Sequence, residues 1–148
     1  MTTFYSDVMT LLTGFDGADV AGRPSAKVHG GSLTVLKGEI DLSANTVASG
    51  DDVEMIRMRK GMIPLYGILV PSAAMGATAT IAIGITGDTG KYRAAAVKNN
   101  TTPEVFGLGD AVGTELTADE TVLATIAAAN LPTSGILRII MVASQTGG

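Results

Sequence analysis

Thr78-Ala79-Thr80-Ile81-Ala82-Ile83-Gly84-Ile85-Thr86 is the stretch whose reading decides the fold. Ala79, Ile81, Ile83 and Ile85 fall on one side of a two-residue period; Thr78, Thr80, Ala82 and Thr86 fall on the other. That alternation is the signature of a strand with one face in a core. Gly87-Asp88-Thr89-Gly90 follows as a turn, because Asp and Gly supply the backbone conformations that turns need. Residues 91–97 then return as a strand, although Ala94-Ala95-Ala96 by itself favours helix.

The same period extends outward in both directions. Over 34–42, Leu36, Gly38, Ile40 and Leu42 share one face, and Val35, Lys37, Glu39 and Asp41 share the other. After the turn-rich stretch 43–50, residues 51–60 set Val53, Met55, Ile56 and Met58 in a charged frame. Lys60-Gly61 is a turn, and 62–70 is a strand in which Pro64 signals an edge or a bulge. Residues 99–119 are mostly loop by their polar and glycine content. Residues 120–129 stay open: Thr121, Val122, Thr125 and Ile126 favour strand, and the alanines favour helix. Residues 135–144 end the domain with Leu137, Ile139, Met141 and Ala143 on one face. Ile136, Ile140 and Val142 lie on the opposite face, interrupted only by Arg138. A strand apolar on both sides is covered by a second layer or by an interface. Together these segments predict an all-β domain over 32–148, a jelly-roll-like β-sandwich of about seven or eight antiparallel strands.

Residues 1–31 have no strand pattern. Phe4, Val8, Leu11 and Leu12 recur at helical spacing, which predicts a short helix over 4–13, and Gly14, Gly17, Gly22, Pro24, Gly30 and Gly31 break up the remainder. The expectation is an extended N-terminal arm that lies on another surface through Phe4, Tyr5, Val8, Leu11, Leu12 and Phe15; a loose terminus is the alternative.

Composition narrows the function. The 148 residues include no cysteine, no tryptophan and one histidine, His29, so thiol chemistry and multi-histidine zinc sites within one chain are excluded. A net charge of −4 argues against sequence-independent nucleic-acid binding. Only 16% of residues are charged, yet no apolar run approaches the roughly 18 residues of a membrane span. With a mean hydropathy of +0.36, the chain is expected to bury apolar surface against other subunits. The first residues lack the pattern of a secretory signal, so synthesis in a cytoplasm is expected.

Each catalytic candidate has a plainer reading. Asp88-Thr89-Gly90 matches the core of the aspartic-protease motif, but Gly87 precedes it and Lys91 follows where that motif wants apolar and small residues. His29 sits between Val28 and Gly30, and no Gly-x-Ser-x-Gly elbow accompanies it. Gly107-Leu108-Gly109 with Gly113 lacks the Lys-Ser/Thr of a phosphate loop. Asp51, Asp52 and Glu54 are split between two faces by alternation, and Asn100-Thr101-Thr102 is a glycosylation sequon only in a secreted chain. Arg57, Arg59 and Lys60 form the one basic cluster, either a contact for an acidic partner or the charged end of a strand. No catalytic, metal or cofactor site is expected.

One longer stretch carries a resemblance. Val53-Glu54-Met55-Ile56-Arg57-Met58-Arg59-Lys60-Gly61-Met62-Ile63-Pro64 joins two strands through a Lys-Gly turn. It runs through Gly67-Ile68-Leu69-Val70 and Met75-Gly76-Ala77-Thr78 to Gly87-Asp88-Thr89-Gly90-Lys91-Tyr92 and its alanines. This arrangement resembles the jelly-roll decoration (cement) proteins of bacteriophage capsids over roughly residues 50–97, with Pro64 as a departure from a smooth strand. The resemblance implies a non-enzymatic virion protein without cofactor, made in the host cytoplasm and placed on the capsid surface. It also implies that the chain bridges and stabilises subunits of the major capsid protein. Further copies of the chain, as a homodimer or homotrimer, would be the second partner, with neither nucleic acid nor membrane involved. In that picture Ile136, Ile140 and Val142 serve self-association, and the arm docks on a neighbouring subunit. The rival readings are another head or tail component, such as a head-fibre base or adaptor, and a small carbohydrate-binding jelly roll.

Overall fold

The computed structural model describes residues 32–145. It contains eight strands: β1 (Ser32–Asp41), β2 (Asp52–Met58), β3 (Met62–Pro71), β4 (Thr80–Ile85), β5 (Asp88–Val97), β6 (Glu104–Phe106), β7 (Glu120–Ala127) and β8 (Ile136–Gln145). They form two four-stranded sheets, ordered β1-β8-β3-β6 and β2-β7-β4-β5. Every ladder is antiparallel. The chain changes sheet at each connection except the β4–β5 hairpin, which is the jelly-roll winding. The arm residues Phe4, Tyr5, Val8, Leu11, Leu12 and Phe15, and His29 with them, lie outside the described residues.

Alternation decides which side chains meet between the sheets. Ile81 and Ile83 of β4 are buried against Val122, Ala124 and Ile126 of β7 and Leu137, Ile139, Met141 and Ala143 of β8 in one cluster. Burying each of the larger ones contributes about 1.5–3 kcal/mol. Leu36 and Ile40 of β1 pack on its rim, while Val35, Lys37 and Glu39 face outward.

Four local readings of the sequence are settled or corrected. The open segment is strand β7, bonded to β2 on one side and β4 on the other, so its β-branched residues prevail over its alanines. The β4–β5 turn is the pair Thr86-Gly87, with Gly87 at φ +88°, and Asp88 already pairs with Ile85. A two-residue hairpin needs a positive φ to match strand twist, so the turn closes earlier than at 87–90. The loop 99–119 contains β6, which at three residues is too short to show a period. Pro64 does mark a bulge, placed between Pro64 and Tyr66 opposite β8.

Two glycines set how closely elements approach. A Cβ on Gly38 would stand 2.1 Å from the Met55 carbonyl oxygen, so β1 can lie against β2 at this seam only without a side chain. A Cβ on Gly67 would stand 2.2 Å from the Phe106 ring, which uses that space to cover the core under β3. Gly38→Ala is expected to destabilise the fold by about 3 kcal/mol or more, because the obstacle is backbone and cannot rotate away. Urea unfolding checks this, and a loss under 1 kcal/mol, about the cost of a tolerated core change, would mean that the seam is looser than described.

Candidate interaction surface

The outward face of the β1-β8-β3-β6 sheet is the apolar surface of the molecule. The strand register orders it in rows. Val35, Val142 and Tyr66 stand abreast in one, with Leu33, Ser144 and Ile63 on one flank. On the other flank run Lys37, Ile140, Ile68 and Val105. Leu33, Val35 and Val105 are 67%, 65% and 68% exposed, and Tyr66 is 41% exposed. Leu65 is exposed on the bulge beside Tyr66, and Leu108 is exposed just after β6. The charges at the far corner offset one another. Glu39 accepts from Arg138 Nε at 2.9 Å and lies 3.4 Å from Lys37 Nζ. The Arg138 bond, reinforced by Lys37, holds the Glu39 carboxyl below its usual range.

The three sequence candidates on β8 all lie on this face, but not at its exposed part. Val142 is only 8% exposed and Ile136 and Ile140 are half-buried, because β1 and β3 flank them on both sides. The exposed contributors come from the flanking strands. Val35 was assigned to an outward face by alternation, whereas Val105 was hidden in a segment read as loop. Tyr66 lay in a recognised strand, and only the bulge that pushes it outward could have singled it out.

Arg57, Arg59 and Lys60 are all exposed, at the end where β2 turns into β3. Asp119 ties this corner together, accepting from Lys60 N at 2.9 Å and Arg57 Nη2 at 3.2 Å. The Lys60 amide, then Arg57, lowers the Asp119 pKa. Met62, at the start of β3, pairs with Gln145, which also pairs with Ser32. The basic cluster therefore lies at the same end of the sandwich as Ser32, where residues 1–31 join.

The remaining motifs serve the backbone. Asp51 Oδ2 accepts from Ala48 N at 2.8 Å, and Asp52 takes the Thr125 hydroxyl. Asn100 Oδ1 accepts from Thr102 N at 3.1 Å and Lys98 Nζ at 2.9 Å. Gly113 N donates to the Pro64 carbonyl at 2.7 Å, which fastens the glycine-rich loop to the β3 bulge. Asp88 is exposed at the start of β5, without the shelter that a proton-sharing carboxylate pair requires. Among the described residues, no three His, Cys, Asp or Glu side chains are grouped to hold a metal, and no helix is long and apolar enough to cross a membrane.

A polar clamp fixes the β6 side of the face. Glu104 accepts from Arg93 Nε at 2.7 Å and Arg93 Nη2 at 3.2 Å, and Lys98 Nζ stands 3.6 Å away. Arg93 and Lys98 are buried, and Arg93 also donates to the Ile81 carbonyl. The link joins the edge strands β5 and β6 of the two sheets. A second cluster, on β5 and β7, has Glu120 accepting from the buried Tyr92 hydroxyl at 2.7 Å and paired with Lys91. Burial, with Glu120 beside it, pushes the Tyr92 hydroxyl well above its ordinary range.

No family model matches the chain, and no curated protein matches it. Its fold is found in solved phage capsids. A chain in the capsid of Ralstonia phage GP4 superposes with a TM-score of 0.66 at 18% identity, over 80% of this chain and 87% of that one. One in the cyanophage Pam1 capsid asymmetric unit gives 0.62 at 20% identity, over 86% and 96%. One in the acid-stable capsid of Helicobacter pylori bacteriophage KHP30 gives 0.53 at 11%, over 79% and 91%. At these identities the shared property is the fold, an all-β sandwich.

Arg93, ahead of Lys98, lowers the Glu104 pKa in the folded chain. A depressed carboxylate stabilises above its unfolded pKa, and the contribution is lost as pH falls through the folded value. Glu104→Gln should therefore cost about 1–2 kcal/mol at neutral pH, discounted for the partial exposure of Glu104. The difference from the parent should shrink as pH drops below the ordinary carboxylate value of 4.5. Thermal melts across pH check this, and a gap that stays constant into acid would remove the charge from the explanation.

Proposed function

We propose that this chain is a virion structural protein that binds the outside of a phage capsid and stabilises it by bridging neighbouring subunits of the major capsid protein. The observation that carries this reading is a jelly roll whose ionisable side chains close its own edges while one whole sheet face is left apolar. Such a body acts through its surface. The same fold in chains of three phage capsids supports the setting. The partners are the major capsid protein and further copies of this chain, and the place is the capsid surface, after synthesis in the host cytoplasm.

In this reading the sandwich is the rigid part. Residues 1–31 grip a neighbouring subunit through Phe4, Tyr5, Val8, Leu11, Leu12 and Phe15, and Arg57, Arg59 and Lys60 meet acidic groups beside that grip. Many modest contacts repeated over a symmetric shell give avidity without chemistry. The carbohydrate-binding alternative is less well supported. Of the aromatics in the described residues, Tyr92 and Phe106 are buried and only Tyr66 offers a ring to solvent.

Electron cryomicroscopy of phage particles made with and without the chain tests the proposal. Density for the sandwich is expected on the outer surface between capsid subunits, and particles lacking it should release DNA at a lower temperature. Density confined to the tail or neck would overturn it. Deletion of residues 1–31 should weaken binding to undecorated heads at least tenfold and leave the unfolding midpoint of the sandwich unchanged. Undiminished binding would take the arm out of the mechanism.

A further inference from the structure

We infer that the apolar face of the β1-β8-β3-β6 sheet is a self-association surface, occupied by the same face of a second copy of this chain packed sheet against sheet around Val35, Tyr66 and Val105. This deepens the reading above and rests on it for the setting in which copies meet.

Size, charge and the contrast with the opposite face identify the occupant. Leu33, Val35, Leu65, Tyr66, Val105 and Leu108 together expose apolar area on the order of 500 Å², the scale at which a patch on a soluble protein marks an interaction. That is more than half of the ~800 Å² that each partner gives to a standard interface. The half-buried Ile68 and Ile140 between them keep the patch continuous.

Charge is the stronger argument. Each copy carries a net −4, so two copies repel unless they meet through surface that contributes no net field. The rows of Leu33, Val35 and Tyr66 hold no charged side chain, and Lys37 at their margin is paired with Glu39, which Arg138 also holds. A partner of opposite charge needs no such neutrality; a second identical copy does. Homodimer interfaces are also more apolar than those between unlike partners. Two flat sheet faces can pack about 10 Å apart, as the two sheets already do inside the molecule.

The opposite face is of another kind. On the β2-β7-β4-β5 sheet, Asp52 and Arg57 stand with Thr121 and Thr125, and Leu123 and Ala82 are buried. That face has no comparable apolar exposure and remains free for an unlike partner.

The centre of the contact differs from the β8 strip expected from sequence. Ile136 lies at the Asp41 end of the sheet, beyond the ion-paired corner. Tyr66, raised on its bulge beside Leu65, is the aromatic anchor that such an interface uses.

The test is the mass of the full chain in solution by light scattering, over a concentration series. The parent chain is expected at a multiple of 15.0 kDa, falling to 15.0 kDa on Val35→Glu and, independently, on Val105→Glu. Both sites are exposed, so circular dichroism and the unfolding midpoint should show an intact fold. Each substitution should weaken association about 30-fold or more. Ala127→Glu, at an exposed position of β7 on the other sheet, should leave the mass unchanged. A parent chain that is monomeric at every concentration overturns the inference. So does an oligomer indifferent to both face substitutions, or one that dissociates equally on Ala127→Glu. Binding to heads is read separately. If Val35→Glu dissociates the oligomer but the parent chain never binds heads, the virion reading fails and the self-association surface stands. If the parent chain binds heads as a monomer, the reverse holds.

Discussion

β8 is hydrogen-bonded along its length to β1 on one side and β3 on the other, and this double pairing is the constraint on which the sandwich depends. A central strand cannot rotate or slip by one residue without exchanging its two faces. Leu137, Ile139, Met141 and Ala143 are all fully buried, so the register is fixed by the core. Ile136, Ile140 and Val142 are then obliged to face outward. The chain could have placed polar residues there, as half-buried antiparallel sheets usually do. It has instead an apolar outer row that its flanking strands extend with Val35, Tyr66 and Val105. The interaction face is thus the reverse side of the core, imposed by the same register.

Closing such a sandwich is a problem of edges. At one seam β1 meets β2 only because Gly38 has no side chain to strike Met55. At the other, β5 and β6 are joined by Arg93, Lys98 and Glu104. The first seam is steric and indifferent to pH; the second is electrostatic, with two buried cations sharing one carboxylate. An apolar clamp there would pack as well, but it would not fix the short β6, whose three residues form few ladder bonds. Since Val105 lies on β6, the clamp also holds the edge of the apolar face in place.

Much of this was legible in the sequence because alternation is a local signal. Residues 34–42, 78–86 and 135–144 each showed two faces, and each is a strand with those faces. Where the signal failed, the cause was physical. β6 is too brief to establish a period, so Val105 was unrecognised. In 120–127, helix and strand propensities balanced until pairing with two neighbours decided for strand. The hairpin depended on Gly87 accepting a positive φ, which turn composition located only to within a few residues. The apolar face as a whole was beyond sequence reading. It brings together residues 35, 66, 105 and 142, whose adjacency exists only once the jelly-roll order is known.

The distribution of ionisable groups argues for a protein that works by contact. Asp41, Asp51, Asp52, Glu104, Asp119 and Glu120 each hold a turn, a strand end or a seam through a hydrogen bond. Among the described residues no buried side-chain polar atom lacks a partner. A catalytic or ligand site usually keeps some polar group unsatisfied until its substrate arrives, and that reserve is not seen in this part of the chain. What remains unsatisfied is hydrophobic: a continuous outer sheet face in contact with water. Free energy is gained by covering it, and the charges nearby are already paired so as not to oppose that. Function in such a molecule depends on the shape and neutrality of a face, which fits a subunit of a larger shell.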